Sequence, residues 1–433
     1  MKLFIAERLS ISNRVFLKIY GRITSQEQKM TFKRVVFFLL VLSFLATASF
    51  LAIRFARGER INFKTKTITP TGLLVASSTP DGAPVLIDGK LKTATNDTLN
   101  LVPGEYEVEI KKDGFHSWKK LLKIEKELVA KTDAYLFSSF PSLTSLTYTG
   151  AARPVLSPDF GKVAFAVATA SASKPGLWVL ELSERPLGLS REPRQIIKST
   201  PRGRDFAQSQ YRWSPDSKQL LVTFKYESGK SKEPVTQENF LLESDRLNDP
   251  AGLIDVTPSL ELIQSQWEKE EEVRKNAQLS KLPNKLLEAL ENSVENILFA
   301  PNEKMILYTA TASAAIPKKI RPPLPASNNQ PESRQIKPNQ AYVYDLIEDK
   351  NFLVQPEASK LTTLTWLATS RHIFQVGGNK VTIAEYDGTN TVDVYTGPFE
   401  DGFAFPFPTE DKILILASLG EDQPPNLYAV SLR

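Results

Sequence analysis

The chain contains no cysteine in its 433 residues. A disulfide framework, a thiolate nucleophile and a cysteine-ligated metal centre are therefore all excluded. Histidine is nearly as scarce. His116 and His372 are the only two, so a hydrolytic triad or a histidine-rich metal site would have to use one of them. Both lie in strand-like surroundings, and neither has an aspartate or glutamate on its own strand face to orient the ring as a base. They are read as structural. No Gly-x-Ser-x-Gly elbow and no glycine-rich phosphate loop occurs. Acidic pairs such as Glu400-Asp401 are present, but 49 acidic residues make chance pairs common on a solvated surface. These absences leave no catalytic, cofactor-binding or metal-ligating residue to nominate, and the chain is read as a non-enzyme.

A net charge of +5 invites an acidic partner only if it is spread over the folded surface. It is not. Residues 1–58 hold ten Lys and Arg against Glu7 and Glu27, leaving 44 basic and 47 acidic residues beyond. Nucleic acid is therefore not expected as a partner. The basic excess flanks a stretch that lacks charge altogether, Val35 to Ile53, nineteen residues without proline or glycine. As a helix it spans about 28 Å, close to the hydrocarbon thickness of a bilayer. Eight cations in 1–34 against five in 54–66 place the N-terminus in the cytoplasm by the positive-inside bias. The competing reading is a cleaved secretory signal ending near Ala46-Thr-Ala48. A basic leader of 34 residues is long for that, and the apolar run continues through Phe50, Leu51 and Ile53. Either reading sends the rest of the chain out of the cytoplasm.

Beyond a polar connector, two Asp-Gly pairs bracket a short apolar run in Pro80-Asp-Gly-Ala-Pro-Val-Leu-Ile-Asp-Gly89. Gly82 and Gly89 supply the backbone freedom that reverses the chain at either end of one strand. Calcium ligation by Asp81 and Asp88 is the sharper alternative, but the residues between them are apolar where a calcium loop needs oxygen ligands. Tyr106, Val108 and Ile110 then alternate with Glu105, Glu107 and Glu109, the pattern of a strand with one wet face. Pro103-Gly104 turns into it and Asp113-Gly114 turns out. Four or five strands are expected. The segment 71–138 resembles the PEGA domain, a small β module of prokaryotic surface proteins named for a Pro-Glu-Gly-Ala turn, here Pro80-Asp81-Gly82-Ala83. Ile87-Asp88-Gly89, Leu101-Val-Pro-Gly-Glu-Tyr106 and Asp113-Gly-Phe115 fit the same pattern.

From about Phe140 a weak repeat sets in. Leu156-Ser-Pro-Asp-Phe-Gly-Lys-Val-Ala-Phe165 recurs as Trp213-Ser-Pro-Asp-Ser-Lys-Gln-Leu-Leu-Val222 and as Phe299-Ala-Pro-Asn-Glu-Lys-Met-Ile-Leu-Tyr308, with decayed copies at Trp366 and Phe405. A second strand closes each unit, as in Leu177–Leu182, Ala341–Leu346, Val381–Tyr386 and Asn426–Leu432. These units resemble blades of a TolB-like or WD-like β-propeller, in which the Ser-Pro-Asp turn joins two inner strands. About six blades are expected, within five to seven.

The Ser157–Ser214 and Ser214–Ala300 spacings are 57 and 86 residues, against ~40–45 for a plain blade. The larger excess carries two amphipathic stripes, Leu260, Ile263, Trp267 and then Leu279, Leu282, Leu286, Leu290, Val294, Ile297, interrupted near Pro283. They read as helices that cap the propeller or serve as a partner-binding arm. The expected organisation is a cytoplasmic basic segment 1–34, a transmembrane helix 35–56 contacting the lipid bilayer, and a linker 57–70. A PEGA-like domain 71–138 and a propeller 140–433 follow, with a helical insertion at about 257–297 and a proline-rich loop at about 310–340. The class is mainly β. The function implied is a membrane-anchored, extracytoplasmic binding or scaffold protein that recognises an envelope protein or cell-wall polymer. The rival is a propeller hydrolase or lyase acting on envelope glycan.

Overall fold

The computed structural model describes residues 32–54, 60–62, 67–168, 174–183, 192–199, 204–226, 236–317, 324–420 and 423–433. The eight cations counted ahead of the apolar run lie largely outside this set, as does 318–323 of the proline-rich loop. The chain divides into two compact units: residues 1–74, 98–104 and 124–130, and residues 75–97, 105–123 and 131–433.

The first unit begins with helix α1, Phe32–Arg54, whose apolar window is unburied and long enough to cross a membrane. A hairpin, Arg60–Asn62 with Thr67–Thr69, follows. Strand Gly72–Ala76 then pairs on either side with Val129–Lys131 and Asp97–Leu101. Gly72 is required by space: a Cβ there would lie 2.3 Å from the Glu125 carbonyl oxygen and 2.6 Å from the Ile124 side chain.

The second unit holds a four-stranded antiparallel sheet in the order Lys90–Ala94, Pro84–Ile87, Gly104–Ile110, Trp118–Ile124. Asp88 and Gly89, at φ 49° and 74°, form the two-residue connection of its first hairpin, the geometry for which Asp-Gly is preferred. Val108 and Ile110 are buried and Glu105 and Glu107 exposed, so the expected alternation holds. Segment 71–138 contains nine strands rather than four or five. Three of the nine, Ser78–Thr79, Val129–Lys131 and Ala134–Tyr135, are two or three residues long, too short to show a period in sequence.

The rest of the second unit is a β-propeller. Blade 1 comprises Ala152–Leu156, Lys162–Val167, Gly176–Glu181 and Arg194–Lys198; blade 2, Gln210–Trp213, Gln219–Tyr226 and Thr236–Glu243. Blade 3 comprises Val294–Phe299, Met305–Ala310, Gln340–Asp345 and Lys350–Gln355; blade 4, Thr363–Trp366, His372–Gly377, Lys380–Glu385 and Val392–Thr396. Blade 5 joins Ala404–Pro406, Lys412–Ala417 and Asn426–Ser431 to Leu143–Ser145, so the two ends of the propeller sequence close one sheet. Second strands such as Val163-Ala-Phe-Ala-Val167 and Ile413-Leu-Ile-Leu-Ala417 are apolar throughout because both faces are covered. In blade 5, Ile413 and Ile415 pack toward blade 4, whereas Leu414 and Leu416 pack toward blade 1.

The repeated turns are equivalent. In four blades the residue opening the turn (Ser157, Ser214, Ala300, Leu367) donates its N–H to the carbonyl five residues on and accepts from the N–H three residues on. That third residue (Phe160, Ser217, Glu303, Ser370) has φ between 57° and 60°. Neighbouring turns are tied identically: Asp159 N–H donates to Ser217 Oγ at 3.3 Å, and Asn302 N–H to Ser370 Oγ at 3.1 Å. The tryptophan before the turn reaches back to the preceding inner strand, Trp213 to the Val155 carbonyl and Trp366 to the Leu298 carbonyl, both at 2.9 Å.

Five propeller sheets are present among the described residues where about six were expected. The long Ser214–Ala300 spacing is taken by helices α2 (Leu260–Leu279) and α3 (Asn284–Leu290) instead of a sheet. On blade 3, Met305, Leu307, Ala341 and Val343 face blade 4. The alternate residues Ile306, Tyr308, Tyr342 and Tyr344, which would meet a further sheet, pack on Leu282, Leu286 and Leu290. Helix α2 lies on blade 2, where Arg274 donates to the Pro215 carbonyl at 2.8 Å and Glu271 pairs with Arg212 at 3.1 Å. Val294 and Ile297, read as the end of a helical stripe, belong to the first strand of blade 3. Apolar residues at three-residue spacing fit either state once the strand carries a bulge, which this one has between Glu295 and Leu298.

Candidate functional site

The inner strands of blades 3, 4 and 5 enclose a cavity of ≈ 1320 Å³, completed by the blade 1 turn and by Gln278 of α2. Each inner strand is an edge, so its side chains and turn residues meet open space while the strands behind it are buried. Hydroxyls and amides, among them Thr309, Thr363 and Asn339, alternate on the wall with Leu298, Phe405 and Phe407. Among the described lining residues only Asp159 and Glu295 are ionisable. Burial alone would raise the Asp159 carboxyl. Hydrogen bonds from Ser157 and the Gly161 N–H, with Ser217 and the Lys162 charge, hold it below the usual carboxylate range. It accepts from Ser157 Oγ at 2.6 Å and from Gly161 N–H at 2.9 Å. This carboxylate is a turn ligand, and the wall is suited to recognising a neutral surface through hydroxyl contacts and ring stacking.

The second constellation was missed in sequence although a signal was present. In Trp118-Lys-Lys-Leu-Leu-Lys-Ile124 the even positions are buried and Lys119, Leu121 and Lys123 exposed, so period two puts Lys120 on the apolar face. A buried ammonium requires a buried counter-charge. Its Nζ lies 2.5 Å from Glu385 Oε2 and 2.6 Å from Asp387 Oδ2, and the three side chains are 6%, 6% and 0% exposed. Trp118 Nε1 and Asn390 Nδ2 donate to Glu385 Oε1. Asn328 Nδ2 donates to Asp387 Oδ2 at 2.6 Å, and the Thr389 N–H and hydroxyl donate to Oδ1 at 3.2 and 2.6 Å. Burial pulls Lys120 down and Asp387 up, but the attraction of Glu385 and Asp387 for the lysine, and of the lysine for Asp387, outweighs it, leaving the lysine raised and the aspartate lowered.

The two histidines border one crevice of ≈ 10 Å³ with Glu385, room for about a single water. Glu385 stands directly across the strand pair from His372, a carboxylate neighbour that local sequence did not reveal. Its oxygens are occupied by Trp118, Asn390 and Lys120, while His372 Nδ1 meets Thr369 Oγ1 at 2.9 Å. The rings of Tyr135 and Phe137 stand edge-on to His372 at 5.4 and 5.3 Å. Burial, joined by the Arg371 charge, pushes the imidazole down to about 3. Asp88 Oδ1 accepts the Glu107 N–H at 3.1 Å. No group of three or more His, Cys, Asp or Glu suited to a metal occurs among the described residues. Glu400 opens a short 3-10 turn, Glu400–Gly402.

Residues 71–137 match the family described as PEGA domain. The segment is a PEGA domain and the sheets between Leu143 and Ser431 form a propeller, so the chain falls in the class of multi-module β proteins with an N-terminal apolar helix. No curated protein matches it. Among solved structures it is similar to a provisionally assigned TolB from Agrobacterium tumefaciens, at 14% identity over 69% of this chain and 82% of that one, with a TM-score of 0.22. TolB from Acinetobacter baumannii matches at 13% identity over 75% and 59%, with a TM-score of 0.21. A Mitotic Checkpoint Complex structure matches at 11% over 70% and 98%, with a TM-score of 0.28. The propeller architecture rests on the sheet order and the repeated turns.

Proposed function

We propose that this chain is a membrane-anchored scaffold of the cell envelope, with its PEGA domain and propeller outside the cytoplasm, and that the propeller cavity recognises an envelope protein or cell-wall polymer. The observation that carries the reading is the ≈ 1320 Å³ cavity, whose wall of threonine, asparagine, proline and phenylalanine offers contacts without a free acid–base pair. Helix α1 acts as the anchor through its uncharged run, and the cationic flank before it stays in the cytoplasm. A glycan hydrolase or lyase would use Asp159 and Glu295, the two acids on the wall, but Asp159 is engaged by its own turn.

The test uses the full chain in lipid nanodiscs, incubated with separated envelope proteins and with solubilised cell-wall fragments. Retention of one class by the wild type, lost in Thr363→Trp, which puts a bulky ring on the cavity wall, supports the reading. Release of shortened glycan by the wild type would replace it with the enzyme.

A further inference from the structure

The buried cluster on strand Trp118–Ile124 is arranged as the reactants of an amide bond. We propose that Lys120 and Asp387 join in an intramolecular isopeptide bond, with Glu385 relaying the proton. This modification site goes beyond the recognition role and does not depend on it.

Proximity comes first. The nucleophilic Nζ is held 2.6 Å from Asp387 Oδ2 by a strand on one side and the end of a blade 4 strand on the other. Restraint of this kind converts an improbable encounter into a unimolecular step. Burial comes second. Asp387 is fully enclosed, which keeps water from the pair, and the ion pair, with the Trp118 and Tyr386 rings 5.7 and 5.9 Å from Nζ, is the resting state from which the reaction starts. Transfer of one proton within the pair yields the neutral amine and neutral acid that amide formation requires. Third, both oxygens of the carboxyl have donors. The Thr389 N–H and hydroxyl both donate to Oδ1, where negative charge develops in a tetrahedral intermediate. Oδ2 faces Nζ and accepts from Asn328 Nδ2 at 2.6 Å, a donor that assists its departure as the leaving oxygen. Finally, Trp118 and Asn390 hold Oε1 of Glu385, which aims Oε2 at Nζ from 2.5 Å.

The step balances without a co-reactant. Glu385 takes a proton from Nζ as the Nζ–Cγ bond of the amide forms, then returns it to Oδ2. The Cγ–Oδ2 bond breaks and Oδ2 leaves as water. One ammonium and one carboxylate become one amide and one water, with no oxidation and no change in net charge, and Glu385 ends ionised as it began. A chain without cysteine has no disulfide with which to tie residues 265 or more positions apart. This bond supplies such a tie.

Peptide mapping of the purified full chain, digested after denaturation, decides the matter. The expected result is a branched peptide joining Lys120 to Asp387, lighter by one water than its two linear arms together. Lys120→Arg is expected to yield only linear peptides. Glu385→Gln is expected to abolish the branch, or to slow its appearance at least tenfold in freshly made protein. Linear peptides carrying both Lys120 and Asp387 from folded wild-type protein would overturn the proposal, whatever the variants do. A branch through Glu385 would overturn the choice of Asp387, and an undiminished branch in Glu385→Gln would overturn the relay.

Discussion

Acid destabilises this protein through His372, and the size of the effect follows from its surroundings. The ring is 4% exposed, set between Tyr135 and Phe137, with its pKa lowered from 6.5 to about 3. The folded value lies below the unfolded one, so between these limits the unfolded chain takes up a proton that the folded chain refuses. The contribution is whole above pH 6.5 and is lost as pH falls toward 3, at about 1.4 kcal/mol per pH unit. By pH 4.5 the loss is about 3 kcal/mol. His372→Gln removes the titration while retaining an amide that reaches Thr369, and it gives up the edge contacts with two rings. The variant should be the weaker protein at pH 7.5, by about 1–2 kcal/mol. The two stability curves should then cross near pH ~5.5, below which the variant is the more stable. Urea melts of the full chain in detergent, from pH 7.5 to 4.5, measure the difference directly. Every other titrating group is common to both proteins, so the difference isolates the imidazole. Curves that stay parallel across this range would refute the buried, neutral histidine.

Trp213→Phe and Trp366→Phe each remove an indole donor from a preceding inner strand, at 2.9 Å in both cases, and should lower stability by similar amounts, about 1–2 kcal/mol. A loss at one site with none at the other, read from the same melts, would break the equivalence of the turns. Removing residues 427–433 strips Leu427, Ala429, Val430 and Leu432 from two inter-blade cores and leaves Leu143–Ser145 without its partner strand. The truncated chain should be digested by trypsin within minutes, and a protease-resistant propeller would overturn the closure. A reporter fused after Arg433 should be active only outside the cytoplasm, and cytoplasmic activity would reverse the assigned orientation.

What was legible in the sequence was what local chemistry controls. The uncharged run from Val35 to Ile53 specifies an apolar helix because no backbone partner or counter-charge from elsewhere is needed. Asp88-Gly89 specifies its hairpin because φ is positive at both positions. The Ser-Pro-Asp repeats specify an inner-strand turn because the serine and aspartate side chains bond the backbone within five residues. These features determined the mainly β class and the blade repeat.

The rest was decided in three dimensions. Whether the long Ser214–Ala300 spacing held another sheet or a helical cover depended on which surface Tyr308, Tyr342 and Tyr344 found to pack against, and burial of apolar area carries no direction that sequence can record. The cavity arises from which inner edges face one another, a property of blade number and not of any one blade. Lys120 announced a buried charge by its place in an apolar alternation, but its partners stand 265 and 267 residues further along the chain. Nothing local couples residues so far apart. Only packing of the Trp118–Ile124 strand against blade 4 brings the two carboxylates to the lysine, because a buried charge is tolerated just where the fold supplies its counterpart.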